Sequence, residues 1–117
     1  MKKYSDDVAR EDMEVDGLTV KGVKIQWLFS KREGTRDITM RKFTMDSTTT
    51  PNHRHPWEHI IYILRGKGKI KIKEEWLDAE KDDVFFIPED TPHGYSCEEL
   101  FVFICVIPNK GDKRDEE

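Results

Sequence analysis

Short runs in which apolar and polar residues alternate dominate this chain, and no long segment carries a helical period. Val23, Ile25 and Trp27 share one backbone parity, against Lys24 and Gln26 on the other. Ile70 and Ile72 alternate with Lys69, Lys71 and Lys73, the pattern of a half-buried strand with a solvated face. Strand-like runs are expected at 17–30 and 37–46, in HIIYILRGKGKIKIKEEWL with a break at Arg65-Gly66-Lys67-Gly68, and in VFFIP, HGYSCEE and LFVFICVIP. KREGT (31–35), STTTPN (47–52) and LDAEKDD (77–83) read as turns or loops. About eight or nine short strands at this spacing predict an all-β fold, a barrel or sandwich. The 117 residues fit one domain, placed at 13–108, with a charged N-terminal segment (1–12) and a charged C-terminal tail (109–117), both expected to be loose.

Composition narrows the partners. The net charge of −4 arises from 20 basic and 24 acidic residues, a near balance that argues against a nucleic-acid scaffold. No apolar run reaches the length of a transmembrane helix, so no membrane partner is expected. MKKYSDDVAREDME begins with lysines but lacks the apolar core of a signal peptide, and Cys97 and Cys105 are the only cysteines. The expectation is a cytoplasmic protein with free thiols.

All four histidines fall into one pattern: His53, His55 and His59 within HRHPWEH, then His93 in IPEDTPH. Neutral imidazole is the commonest transition-metal ligand. On a strand, residues at i and i+2 face the same way, so His53 and His55 can address one cavity. His59 has the same parity and joins them if the strand continues through Pro56. This arrangement predicts one metal site.

HRHPWEHIIYILRG resembles the first motif of the cupin superfamily, G-x5-H-x-H-x3,4-E-x6-G. DDVFFIPEDTPHGYSC resembles the second, G-x5-P-x-G-x2-H-x3-N. The likeness covers roughly residues 20–108 and is greatest to the small single-domain, four-histidine cupins of the manganese type. It implies a small double-stranded β-helix (jelly-roll) barrel, a homodimer and oxygenase-type activity. The family's ligand positions fall on His53, His55 and His93, and the usual glutamate position holds His59. Glu58 lies one residue early with the opposite parity, and a bulge at Pro56 would bring it in instead of His59. Ser47, Asp82 and Asp90 stand where the family often has glycine, and Cys97 replaces the trailing asparagine.

Four nitrogen ligands disfavour Mg²⁺ and Ca²⁺ and suit one divalent transition metal per chain, with Mn or Fe favoured and Zn, Ni, Co or Cu also compatible. Neutral ligands leave the ion's charge uncompensated, which favours an anionic substrate such as an enolate or carboxylate. Thr39, Arg41, Phe43 and Met45 share one face of their strand. If that face is inward, Arg41 is a candidate catalytic residue, anchoring an anionic substrate or a bound oxygen species; if it switches near Arg41, the guanidinium snorkels to water. Phe43, Met45, Ile61, Phe103 and Cys105 are expected to line the pocket, although Cys105 also reads as a small buried hydrophobe. Trp57 and Tyr62 read as packing or interface residues. The apolar outward face of Ile60, Tyr62 and Leu64, with that of the C-terminal strand, suggests a dimer interface.

Three functions fit these residues. One is a metal-dependent, dioxygenase-like oxidoreductase acting on an enolic, phenolic or alkene substrate. Another is a non-redox isomerase or lyase acting on a sugar acid, with the metal as Lewis acid. The third is a small-molecule binding module without catalysis.

Overall fold

Nine strands, all paired antiparallel, build the chain in the computed structural model, which describes residues 1–116. They are β1 (Arg10–Val15), β2 (Leu18–Phe29), β3 (Ile38–Met45), β4 (Thr48–Thr49), β5 (His59–Ile72), β6 (Glu75–Glu80), β7 (Val84–Ile87), β8 (His93–Cys97) and β9 (Phe101–Pro108). The strand order β1-β2-β3-β9-β5-β8-β4, with β6 and β7 also on β5, is a curled antiparallel half-barrel of jelly-roll type. The all-β expectation holds. No helix among the described residues is long and apolar enough to cross a membrane.

β5 is the pivot. Its first half pairs with β7 and β9, and its second half pairs with β6 and β8. The change of partners falls at Gly66, whose φ is 77°; a Cβ there would lie 1.9 Å from the Leu100 carbonyl oxygen. Only glycine tolerates both the left-handed backbone and that approach. The interruption expected at residues 65–68 is therefore a bend within one 14-residue strand. The turn expected at 77–83 is also narrower, because β6 runs to Glu80. Ser47 (φ 50°), Asp82 (φ 74°) and Asp90 (φ 55°) all adopt left-handed conformations, the geometry that explains glycine at these places in cupin motifs.

Inward parity packs the core. Phe43 and Phe103 stack with centroids 4.9 Å apart, and Tyr95 meets both rings. On β9, Phe101, Phe103, Cys105 and Ile107 are buried within this core.

Segments near both ends, expected to be loose, are tied to the barrel at residues 5–15 and 109–114. β1 pairs with β2, and Gln26 donates from Nε2 to the carbonyls of Ser5 and Val8. At the other end Asn109 Oδ1 accepts from Thr39 and Thr35, and the Asp112 side chain is fully buried. High charge density did not prevent ordering, because backbone pairing and specific ion pairs replace hydration.

Candidate metal centre

The four histidines reach one place by different routes. His93 opens β8 and His59 opens β5. His53 forms an isolated bridge with His93, and residues 54–58 between His53 and β5 are loop. The strand assumed to run through Pro56 is absent; the loop itself delivers His55. Ring centroids lie 4.2 Å apart for His53 and His93, 4.6 Å for His59 and His93, 5.1 Å for His53 and His55, and 5.4 Å for His55 and His59. One potential ligand nitrogen from each of His53, His55 and His93 lies within 4.8 Å of the others; the His59 ring adjoins this set without completing it.

Hydrogen bonds orient two of the rings. His53 Nδ1 and His93 Nδ1 each lie 2.9 Å from the carbonyl oxygen two residues upstream, on Pro51 and Thr91. With the Nδ1 proton donated to that carbonyl, each Nε2 carries the lone pair. His93 Nε2 and His59 Nδ1 are buried with no hydrogen-bond partner. His55 is fixed differently: its ring stacks on Trp57 at 4.5 Å with planes 1° apart.

Burial keeps these imidazoles neutral. It pushes His53 below its ordinary value, His55 and His93 down to about 4, and His59 down to about 2, with neighbouring positive charge adding to the shift. At neutral pH all four present lone pairs, and the orphaned buried nitrogens of His59 and His93 are free to bind a metal ion. The donor set fits a divalent transition ion. Glu58, the alternative fourth ligand, is exposed and absent from the cavity wall, whereas His59 is buried and lines it.

A cavity of about 980 Å³ opens beside His53, His55 and His59. Arg41 and Phe43 line it, so their strand face does point inward. Met45, Ile61, Phe103 and Cys105, expected on the wall, are fully buried in the core instead. Cys97 faces a separate groove with Lys67 and Asp78. Thr39 spends its hydroxyl on Asn109.

Several wall residues were not anticipated. Trp27, the β1 residues Glu11 and Met13, and Gly111, Lys113 and Arg114 of the tail all line the cavity. Trp27 shares the inward parity of Val23 and Ile25, which was a usable signal. The tail gave none, since its composition matches a solvated terminus.

The cupin domain family model matches residues 42–107, which is more than half of the chain and includes all four histidines. The chain is a cupin. Among solved structures, this cupin is similar to the polyketide cyclase RemF from Streptomyces resistomycificus, at 26% identity and a TM-score of 0.85 over 93% of this chain and 80% of that one. KdgF from Halomonas sp. shares the fold at 18% identity and a TM-score of 0.77, covering 94% of each chain. A predicted oxalate decarboxylase from Thermotoga maritima does so at 22% identity and a TM-score of 0.78, over 92% of this chain and 98% of that one. An uncharacterized protein of Methanocaldococcus jannaschii is 40% identical over 42 residues, so this cupin matches only 34% of that relative's length and the relative matches 35% of this chain.

Proposed function

We propose that this cupin is a metal-dependent enzyme of the oxygenase type, in which His53, His55, His59 and His93 hold one divalent transition-metal ion and the adjoining cavity receives a small organic substrate. The observation that carries this reading is the clustering of four neutral imidazoles, two with orphaned buried nitrogens, beside a cavity that three of them line. His59 is the fourth ligand in this reading, supported by its burial and its place beside His93. Manganese or iron is the favoured ion, supplying a redox-capable Lewis-acid centre when bound. The chain's own part is to orient the ligand rings through Pro51, Thr91 and Trp57 and to shield the substrate with Trp27 and Phe43. The substrate is an enolic, phenolic or alkene compound.

Two measurements test the proposal. Protein purified without added metal, analysed for its elements and reloaded with each ion in turn, should consume oxygen with such substrates in its manganese or iron form and not in its zinc form. Alanine at His59 should weaken metal retention at least about tenfold, as loss of a ligand demands, while alanine at Glu58 leaves it unchanged. No oxygen uptake with any ion rejects oxygenation.

A second reading is Lewis-acid chemistry without oxygen, supported by the likeness to a polyketide cyclase. Full turnover by the zinc form under anaerobic conditions would select it. A polyhydroxylated substrate such as a sugar acid has less support, because the Thr39 hydroxyl is already engaged.

A further inference from the structure

Two guanidinium groups share the Trp27 indole, and they differ in one respect. Arg114 lies 4.0 Å from the ring centroid and makes a bidentate pair with Asp112, at 2.9 and 2.8 Å, with Glu11 at 3.8 Å. Its charge is matched within the chain. Arg41 lies 5.3 Å from the same centroid and 4.8 Å from that of Phe43, yet among the described residues no carboxylate pairs with it. Its one side-chain hydrogen bond runs from Nη2 to Cys105 Sγ at 3.1 Å, and its Nε is buried without a partner.

The cysteine does not supply the missing charge. Cys105 is fully buried, and burial pushes its thiol up, which keeps it protonated and neutral against the opposing pull of Arg41. None of the acidic residues on the cavity wall pairs with Arg41: Asp12 pairs with Lys24, Glu11 reaches Arg114, and Glu14 and Asp16 are exposed at the end of β1 and just beyond it. A part-buried cation without a counter-ion is unfavourable, because the water it loses is not replaced by an opposite charge. The uncharged imidazoles of His53, His55 and His59 on the same cavity wall offset none of this penalty.

Sheet register places this cation relative to the histidines. Arg41 pairs with Trp27 on β2 and with Cys105 on β9, and Cys105 pairs with Ile61 on β5. His59 lies two residues before Ile61, on the same face. Arg41 and His59 are thus two strands apart and one inward position offset, roughly 10 Å across and about 7 Å along the sheet between Cα atoms. Both side chains line the same cavity of about 980 Å³, which has room for a small molecule. The Trp27 and Trp57 side chains line the same cavity.

Resting on the metal reading above, the geometry points to the substrate class: a small unsaturated or aromatic carboxylic acid, its carboxylate held by Arg41 and its other end directed to the histidine cluster. Arg41 acts as the specificity-determining anchor, using the forked donors that suit a planar carboxylate.

Cinnamate and cinnamyl alcohol share a planar unsaturated body and differ in charge, and calorimetric titration of metal-free protein with each separates the carboxylate contribution. The acid should bind at least tenfold more tightly than the alcohol. Arg41→Met should abolish that preference, and Arg41→Lys should retain part of it. Circular dichroism and metal uptake by chelator competition should be unchanged in Arg41→Met. Equal binding of acid and alcohol by the wild type, no binding of either, or a preference that survives in folded Arg41→Met overturns the proposal. Metal uptake is scored separately, so failure of the wild type to retain any transition ion sinks the metal reading while the acid-to-alcohol ratio still decides the role of Arg41.

Discussion

At the scale of single residues, Trp57 illustrates how a ligand can be oriented without a hydrogen bond. Its indole lies parallel to the His55 ring, and Gly111 packs so closely on it that an added Cβ would come within 2.9 Å of the indole. Trp57 Nε1 is buried and unpartnered, so the flat surface is what the position requires. Trp57→Ala should therefore weaken metal affinity about tenfold, the lower end of what loss of an outer support costs, whereas Trp57→Phe should stay near wild type. Chelator competition measures both, and equal affinity for Trp57→Ala and wild type would remove Trp57 from the site. The sequence marked Trp57 only as a packing or interface residue, because stacking on a ligand depends on a loop path that periodicity does not encode. The four histidines were legible from spacing, but for a partly mistaken reason: His53 and His55 converge through a loop and a single bridge, not along a continuous strand. The left-handed turns at Ser47, Asp82 and Asp90 were legible because their positions in the motifs already implied an unusual backbone.

Elements were read well where burial is one-sided and poorly where charge hides pairing. β2, β3 and β9 follow the expected parity, while β1 and the tail carry so many charged residues that they resemble solvated ends. The tail is in fact anchored by an interlocking set: Arg114 donates to Asp112 and to Ser30 Oγ, Lys31 donates to the Asp112 carbonyl, and Arg32 pairs with Asp115. The hydrogen bonds from Arg114 hold the buried Asp112 carboxyl below the usual carboxylate range. A depressed folded-state value means that this stabilisation is complete above the unfolded value, near 3.9, and is lost as pH falls through the folded value. Asp112→Asn should cost about 1.5–3 kcal/mol at pH 7, as for hydrogen bonds between charged groups. That difference should shrink once the pH drops below about 4. Urea unfolding at pH 7, 5 and 3 gives the comparison, and a pH-independent difference would show that packing rather than charge holds the tail.

For the molecule as a whole, the remaining question is what covers the outer face of the β3-β9-β5-β7 layer. Register aligns Met40, Val106, Ile60 and Phe86 in one row across four strands, with Ile104, Tyr62 and Val84 in the next. Ile60, Tyr62, Val84 and Phe86 are 41–61% exposed, although all four lie on paired strands. The one polar tip among them is already satisfied, since the Tyr62 hydroxyl donates to Asp82 Oδ1 at 2.8 Å. A continuous apolar face with its hydroxyl tied down gains little from water and much from a matching surface. The matching surface always present at equal concentration is the same face of a second copy, and stacking two such faces about a two-fold axis is self-complementary and closed. The expected state is a homodimer joined through this layer. Sedimentation equilibrium at micromolar concentration should return twice the 13.9 kDa chain mass. The double substitution Val84→Lys/Phe86→Lys should return the single-chain mass with metal uptake intact, because these side chains point away from the histidine cavity. A wild type that sediments as a monomer would sink the dimer. A dimer that survives both lysines would move the interface off this face.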